Sequence, residues 1–215
     1  MKRIFLLLIL SLLVSLANSQ EQKVAVTHYI FPEFTKGVIL MKAGVKNEAS
    51  LNYNSLTEEM IFENKGTKLA LGQIELVDTV YILNRKFTPI NGKFLELILH
   101  SSVDLYAEHK CKLVDPGTPA GYGGTSQTAA TTTYSKLLSA GQAYDLKLPE
   151  SIETDPSVVY WVKKDGELTR FLSVNQLSKI FKDKSDEFKK YTKEHRVSYN
   201  NEQSLIELVK FLCSN

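Results

Sequence analysis

Short stretches of alternating apolar and polar residues fill the chain between Tyr29 and Val114, separated by residues that favour turns. A period of two indicates β-strands that bury one face. We therefore predict strands at residues 37–42, 49–53, 59–63, 69–71 and 77–83, and a hairpin at Asn91-Gly92, which lies between the apolar stretches KFTPI and KFLELIL. The best alternation predicts a core-facing row formed by Val103, Leu105, Ala107, His109, Cys111 and Leu113. The residues between them, Asp104, Tyr106, Glu108, Lys110 and Lys112, are expected on the outer face.

The pattern continues after residue 142 and then changes its period. Residues 144–148 predict a strand, and VVYWVKKDGELTRFL predicts a hairpin that turns at Asp165-Gly166 and contains Trp161 as a core or edge residue. From Ser173, which has capping-box spacing with Gln176, the residues favour helices at 175–181, 185–196 and 201–213. The last helix is expected to bury one apolar stripe, formed by Leu205, Leu208, Val209, Leu212 and Cys213.

Strands followed by helices predict an α+β fold instead of a parallel α/β fold. We expect an antiparallel, hairpin-rich sheet, built as a curved sheet, a roll or a partly open barrel, with the C-terminal helical segment packed on it. Residues 20–215 are predicted to be a single domain, mainly β over residues 20–172 and helical over residues 173–215.

The N-terminus has the organisation of a secretory signal. Lys2 and Arg3 precede an apolar run over residues 4–17, and Ala17 and Ser19 place small residues before the expected cleavage point. The run is shorter than the roughly 20 residues that cross a bilayer as a helix. We predict a cleaved signal at residues 1–19, export to the periplasm, the outer surface or the extracellular space, and no transmembrane segment in the mature chain. An uncleaved anchor is the alternative.

Charge excludes one class of partner. Loss of Lys2 and Arg3 with the signal takes the formal net charge from +2 to zero. A neutral chain without a stripe of Lys and Arg lacks the electrostatic footprint of nucleic-acid binding. The remaining partner classes are a protein, a glycan or a surface ligand.

A long polar connection over residues 115–142 is rich in Gly, Ser and Thr. It contains neither the Gly-Lys-Ser/Thr of a phosphate loop nor the second glycine of a GxSxG elbow. The segment is either slack chain or a binding loop. If it binds, Tyr122 and Tyr134 are the predicted ligand-binding residues, because each offers a stacking face and a polar tip.

Cys111 and His109 are the weak catalytic candidates. Residues i and i+2 on a strand lie about 6.6 Å apart at Cα with nearly parallel side chains, which is poor geometry for a nucleophile and its base. Two ligands are also too few for a zinc site, so we predict no metal and no cofactor. Cys111 and Cys213 are predicted either to form a disulfide or to be two buried free thiols.

Three stretches resemble segments of uncharacterised secreted proteins common in Bacteroidetes: ASLNYNSLTEEMIFENKGTKLAL, VDTVYILNRKF and QLSKIFKDKSDEFKKYTKEHRVSYNNEQSLIELVKFL. The resemblance implies an envelope or extracellular location and brings no catalytic residues. It also implies a modification site, because Asp78-Thr79-Val80 is similar to the O-glycosylation sequon of such bacteria, with Thr79 as the glycan acceptor.

Two functions remain open from the sequence. The first is a non-catalytic envelope or extracellular module that binds a protein, glycan or surface ligand. The second is a secreted hydrolase or redox protein that uses Cys111, which requires an accessible thiol of low pKa. We favour the first, because the sequence contains no cluster of residues typical of an active site.

Overall fold

A computed structural model describes residues 28–114, 118–120, 124–126 and 153–214 of the chain. For residues 118–120, residues 124–126 and Glu153 it describes the backbone alone. The predicted signal, Tyr122, Tyr134 and the predicted strand at 144–148 lie outside the described residues. The strands are β1 (Thr35–Met41), β2 (Lys46–Asn54), β3 (Glu59–Asn64), β4 (Thr67–Ala70), β5 (Val77–Ile82), β6 (Arg85–Ile90), β7 (Lys93–His100), β8 (Asp104–Val114), β9 (Thr118–Ala120), β10 (Gly124–Ser126), β11 (Glu153–Lys164) and β12 (Glu167–Phe171). The helices are α1 (Val174–Ile180), α2 (Ser185–Glu194) and α3 (Glu202–Ser214).

The described residues form one ten-stranded antiparallel sheet in the order β12-β11-β8-β7-β6-β5-β1-β2-β3-β4, and β9 pairs with β10 separately. Neighbouring strands are mostly consecutive in the chain, so the sheet is largely a meander. There are two exceptions: β1 pairs with β2 on one side and with β5 on the other, and β8 pairs with β11. The sheet ends at β4 and β12 and is therefore open. The predicted α+β class is confirmed.

Two-residue turns set the register of the hairpins that the sequence predicts. Asn91 and Gly92 have φ of 52° and 78°, and Asp165 and Gly166 have φ of 52° and 84°. Positive φ at both central positions gives a turn whose twist matches that of the flanking strands. The pair Lys164 and Glu167 closes the second hairpin, which places Tyr160 opposite Phe171.

The helices follow the predicted pattern. The Ser173 side chain caps α1 by accepting a hydrogen bond from the Gln176 backbone N–H. Helix α3 buries the predicted stripe of Leu205, Leu208, Val209 and Leu212, while Cys213 is half-buried. Burial of such a stripe removes apolar surface from water and holds the helix to the sheet.

The sheet carries two separate hydrophobic cores. The C-terminal core joins Leu105, Ala107, Tyr160, Val162 and Phe171 of the sheet to Leu177, Phe181, Phe188 and the α3 stripe. The N-terminal core is formed by residues of the strands and Phe31: Ile39, Leu51, Tyr53, Met60, Val77, Val80, Ile82, Phe87 and Phe94. The two cores meet at strands β7 and β8.

Strands β7 and β8 separate halfway along their length. They pair from Glu96 to His100, with a register shift between Leu97 and Leu99, and β8 then continues alone along β11. The turn between β2 and β3 enters the gap, where the Ser55 carbonyl accepts a hydrogen bond from the Cys111 N–H at 2.8 Å. The charged side chains around this gap form what we call the seam. They are Arg85, Glu96 and His109 on one face of the sheet, and Glu58, Lys93, Glu108 and Lys110 on the other.

The seam corrects one prediction. Tyr106 and Glu108 were expected on an exposed face, yet they are 5% and 2% exposed. The alternation itself is right, because Ala107 lies in the core and Lys112 is exposed. The outer face of β8 is covered because Trp161 of the neighbouring strand and lysines from β7 and β8 pack over Glu108.

The disulfide alternative is also corrected. Cys111 and Cys213 are both free in the structure. Cys111 lies near the far end of β8, where it pairs with Pro156, whereas Cys213 lies at the end of α3. Each thiol behaves as a small apolar side chain at the margin of a core.

Candidate functional site

The inner cluster of the seam consists of Arg85, Glu96 and His109. Glu96 accepts hydrogen bonds from both Arg85 Nε, at 2.5 Å, and Arg85 Nη2, and its Oε2 atom lies 2.6 Å from His109 Nε2. The Glu96 side chain is only 9% exposed, so the two-pronged contact with arginine compensates a buried charge. The guanidinium also lies 5.1 Å from the centre of the Phe31 ring, which ties it to the N-terminal core.

These contacts set the ionisation of the inner cluster. Burial by itself would raise the pKa of Glu96, but the hydrogen bonds from Arg85 and His109 outweigh burial and lower that pKa to about 2. Glu96 is therefore a permanent anion near neutral pH. His109 is held between this anion and Arg85 Nη2, which lies 3.0 Å from its Nε2 atom.

The outer cluster lies on the opposite face of the sheet around Glu108. Its carboxylate accepts hydrogen bonds from Lys93 Nζ at 2.9 Å and Trp161 Nε1 at 2.9 Å, and Lys110 Nζ lies 3.0 Å away. Both lysines also contact Glu58, in the turn that enters the gap. Burial opposes ionisation of Glu108, but these donors hold its pKa well below the usual range. The outer cluster thus connects the β2–β3 turn, β7, β8 and β11.

The structure does not bring Cys111 and His109 together as a catalytic pair. His109 is bound to Glu96 and Arg85, and the Cys111 thiol donates to the Lys112 carbonyl, 3.6 Å away. Burial raises the pKa of Cys111. A buried thiol with a raised pKa is a poor nucleophile.

An open cleft of about 540 Å³ lies beside the inner cluster and takes its lining from both faces of the sheet, with Val158 and Tyr160 on one face and Ser157 and Lys110 on the other. Its walls come from the first half of β11, from the loop between α2 and α3, and from the segment before β1. The apolar walls are Ile30, Pro156, Val158, Tyr160 and Tyr199, and polar groups come from Ser55, His109, Lys110, Ser157 and Asn200. The cleft therefore has a mainly apolar surface with polar groups around it, as small-molecule sites do.

Two tyrosines form the deeper wall of the cleft. The ring of Tyr199 packs edge to face on Tyr160, with 5.3 Å between ring centres, and its hydroxyl donates to the Val158 carbonyl at 3.2 Å. Tyr160 is 4% exposed, and its hydroxyl is not among the buried polar atoms of the described residues that lack a partner, which are His28 Nε2, Thr57 Oγ1 and Thr154 Oγ1. Burial raises the pKa of Tyr160 to about 12, with a further contribution from Glu202, so the hydroxyl keeps its proton.

Glu202, the first residue of α3, adds negative charge on this side of the seam. Burial raises the pKa of Glu202, and the nearby Glu96 carboxylate raises it further. His109 and Arg85 act in the opposite direction and lower this pKa.

The remaining predicted residues lie elsewhere. Thr79 is 3% exposed in β5, and its hydroxyl donates to Asp78 at 3.0 Å. A glycan on Thr79 has no room in the folded sheet, so the position gives that prediction no support. Among the side chains that the structure describes, no three of His, Cys, Asp and Glu are placed to hold a metal. None of the described helices is both long and apolar enough to cross a membrane.

Apart from His109, sequence reasoning did not single out as functional the residues that form the seam and the cleft. One signal was present, because Glu96 is a single acid in the apolar stretch KFLELIL, where a buried charge requires a partner. Tyr160 and Tyr199 gave no such signal. Their sequence context is that of ordinary core residues, and the cleft arises only when Ile30, Val158 and Asn200 meet in the fold.

The resemblance to secreted proteins of Bacteroidetes stays a prediction that rests on the three stretches named above. The seam and the cleft must be interpreted from their own geometry and chemistry. No protein-family model, no curated protein and no solved structure matches the chain.

Proposed function

We propose that the mature chain is exported and acts as a non-catalytic binding module whose ligand occupies the cleft beside Tyr160. The sequence supports export through the signal-like residues 1–19. The structure supports binding through a concave surface that combines aromatic walls with polar groups at the rim. The partner is a molecule or a group small enough to enter a space of about 540 Å³.

The position of the Tyr160 hydroxyl is the observation that carries this proposal. Tyr160 lines the cleft, and its hydroxyl is not one of the buried polar atoms that lack a partner in the described residues, which are His28 Nε2, Thr57 Oγ1 and Thr154 Oγ1. The hydroxyl is therefore open to the cleft, where a bound molecule can take the place of water as its hydrogen-bond partner. Every charged group of the inner cluster, by contrast, already has its partner within the protein.

The alternative that uses Cys111 has weaker support. It requires an exposed thiolate with an adjacent base, whereas Cys111 is buried with a raised pKa and His109 is engaged by Glu96. We therefore predict that iodoacetamide modifies Cys111 of the folded chain far more slowly than a free cysteine. Peptide mapping by mass spectrometry measures this, and rapid modification of Cys111 would revive the thiol enzyme.

Binding in the cleft can be tested by NMR. The mature chain, labelled with ¹⁵N, is titrated with a library of small-molecule fragments, and perturbed amide signals are mapped onto the structure. We expect perturbations to concentrate at Ile30, Val158, Tyr160 and Tyr199. Asn200→Trp, which places an indole at the exposed rim, is expected to remove them.

Asn64→Trp is the matched control, because Asn64 is also exposed but lies at the end of β3 in the other half of the sheet. This variant is expected to keep the perturbations. Fragments that shift only signals outside the cleft, or cleft signals that respond equally in Asn200→Trp, would contradict the proposal.

Export is tested separately by the intact mass of the chain after secretion by a Gram-negative host. The expected mass begins at Gln20 and has both thiols reduced. A chain that retains Met1 and stays in the cytoplasm would refute export without affecting the cleft.

A further inference from the structure

We propose that a second pocket, beside Trp161 on the face of the sheet opposite the helices, binds a small aromatic carboxylate whose charge is held by Arg170. This site goes beyond the proposed function, because its lining shares only Lys110 with the cleft. Three features lead to it: the curvature of the sheet, the apolar wall around the indole, and an arginine that forms no ion pair within the described residues.

The strand register determines which side chains meet in this pocket. Trp161 of β11 lies opposite Arg170 of β12, so the two side chains project from the same face of the sheet. Tyr160 and Phe171, the neighbouring pair, project from the other face into the C-terminal core. The pocket therefore lies on the face that the helices leave uncovered, and its volume is about 220 Å³.

The sheet curves around the pocket. Ile90 ends β6 and Leu168 belongs to β12, and the strands β7, β8 and β11 lie between them in the sheet order. A flat sheet would hold β6 and β12 about 19 Å apart. Both side chains nevertheless line the same space, so this face of the sheet is concave here. The curvature partly encloses a surface that a flat sheet would leave open to water.

The walls of the pocket are mainly apolar. They are formed by Ile90, Leu95, Trp161 and Leu168. The indole of Trp161 is held in place because its Nε1 atom donates to Glu108 at 2.9 Å, so the ring offers a fixed aromatic surface. An apolar cavity of about 150 Å³ is known to hold one benzene molecule. A space of about 220 Å³ therefore fits one ring with a short polar group.

The charges on the lining leave one cation in excess. Lys93 and Lys110 each contact both Glu58 and Glu108, at distances of 2.7 to 3.0 Å. These two cations and two anions balance one another. Arg170 is exposed on the same lining and forms no ion pair with a carboxylate of the described residues. The pocket therefore presents one uncompensated positive charge next to its apolar walls.

This arrangement fits a ligand with a single negative charge. The planar guanidinium of Arg170 matches the two oxygens of a carboxylate. A cation would be repelled by the excess charge, and Glu108 already accepts hydrogen bonds from Lys93 and Trp161. A phosphate monoester carries about −1.5 to −2 charges, which is more than Arg170 alone neutralises. A neutral ring would gain nothing from Arg170. An aromatic carboxylate uses both the walls and the guanidinium.

Trp161 is the only tryptophan of the chain, so its selectively excited fluorescence reports on this pocket. Four probes are titrated into the mature chain: phenylacetate, its neutral amide phenylacetamide, acetate, which lacks the ring, and phenyl phosphate. We expect phenylacetate to give a saturable change in fluorescence. Phenylacetamide and acetate should each bind about tenfold more weakly or worse, because one lacks the charge and the other the apolar ring. Phenyl phosphate should also bind more weakly than phenylacetate.

Substitutions separate the contribution of the charge from that of the walls. Arg170→Gln is expected to weaken phenylacetate about tenfold and to leave phenylacetamide unchanged. Leu168→Ala should weaken both of these probes alike, because it removes part of the wall that contacts the ring. Arg196→Gln is the matched control, since Arg196 is exposed in the loop between α2 and α3 and lines neither the pocket nor the cleft.

Three results would overturn this inference. Equal affinities for phenylacetate and phenylacetamide, or for phenylacetate in Arg170→Gln and the wild type, would show that Arg170 does not hold a carboxylate. Tighter binding of phenyl phosphate than of phenylacetate would contradict the single charge. The absence of a saturable change with every probe would refute the site. The proposed function would survive each of them, because the NMR titration tests the cleft through the amide signals of Val158 and Tyr199.

Discussion

The inner cluster and the cleft meet at His109, but the polar groups of the two regions differ in their hydrogen-bond partners. In the cluster, Arg85 makes two contacts with Glu96, and His109 adds a third. In the cleft, Tyr160 lies on the lining, and its hydroxyl is not one of the buried polar atoms that lack a partner in the described residues. One region is closed within the protein, and the other is open to water or to a ligand.

Because of this difference, we expect substitutions in the inner cluster to affect the stability of the fold and substitutions in the cleft to affect ligand binding. A buried charge that loses its partner leaves an uncompensated charge, so the cluster is expected to dominate the effect of mutation on folding. A hydroxyl that is open to water contributes little to folding. The perturbed pKa of Glu96 alone would have suggested a reactive site, yet structural ion pairs perturb pKa values equally well.

The largest effect is expected from Arg85→Leu. The substitution leaves Glu96, only 9% exposed, with His109 as its remaining hydrogen-bond partner, and should lower the free energy of unfolding by about 3 to 5 kcal/mol. Equilibrium urea unfolding measures the loss. Lys36→Leu is the control, because its pair with Glu48 is exposed at 77% and 61% and is worth about 0 to 1 kcal/mol. Equal losses of unfolding free energy in Arg85→Leu and Lys36→Leu would refute the distinction between the buried and the exposed ion pair.

A smaller loss is expected on acidification. The pKa of Glu96 is lowered from 4.5 to about 2 in the folded chain, so its contribution to stability is complete above pH 4.5 and disappears as the pH falls toward about 2. Urea unfolding across this interval should show a steeper decline for the wild type than for Glu96→Gln. Glu63→Gln, at an exposed position, should keep the wild-type slope. Identical slopes in Glu96→Gln and the wild type would show that Glu96 does not carry the dependence.

A still smaller effect is expected in the outer cluster. Trp161→Phe removes the hydrogen bond from Nε1 to Glu108 but leaves both lysines in place, so the free energy of unfolding should fall by about 2 kcal/mol. Guanidinium unfolding followed by circular dichroism measures this without the tryptophan signal. A variant as stable as the wild type would mean that the lysines alone satisfy Glu108.

The strands, hairpins and helices could be predicted because local patterns determine them. Alternation located β8, the pairs Asn91-Gly92 and Asp165-Gly166 located two turns, and the α3 stripe located the last helix. The seam could not be predicted, because it depends on where β7 and β8 part and on which turn enters the gap. Those are long-range contacts, such as that between Ser55 and Cys111, and the alternation of one strand cannot report them.

The cleft was beyond sequence reasoning for the same reason. Its walls come from the segment before β1, from β11 and from the loop before α3, which are far apart in the chain. Sequence reasoning instead selected Cys111 and His109, whose residue types suggest chemistry. The fold assigns Cys111 to the edge of a core and His109 to an ion cluster, so residue type alone was a poor guide to function.

The unfolding free energy of Tyr160→Phe without ligand tests the account most directly. If the hydroxyl has no partner in the protein, the variant should unfold within about 0.5 kcal/mol of the wild type, while Arg85→Leu loses several times more. That result would leave the hydroxyl available for a ligand. A loss in Tyr160→Phe of about 1 to 3 kcal/mol would show that the hydroxyl already bonds within the folded chain, and the proposed site would lose its foundation.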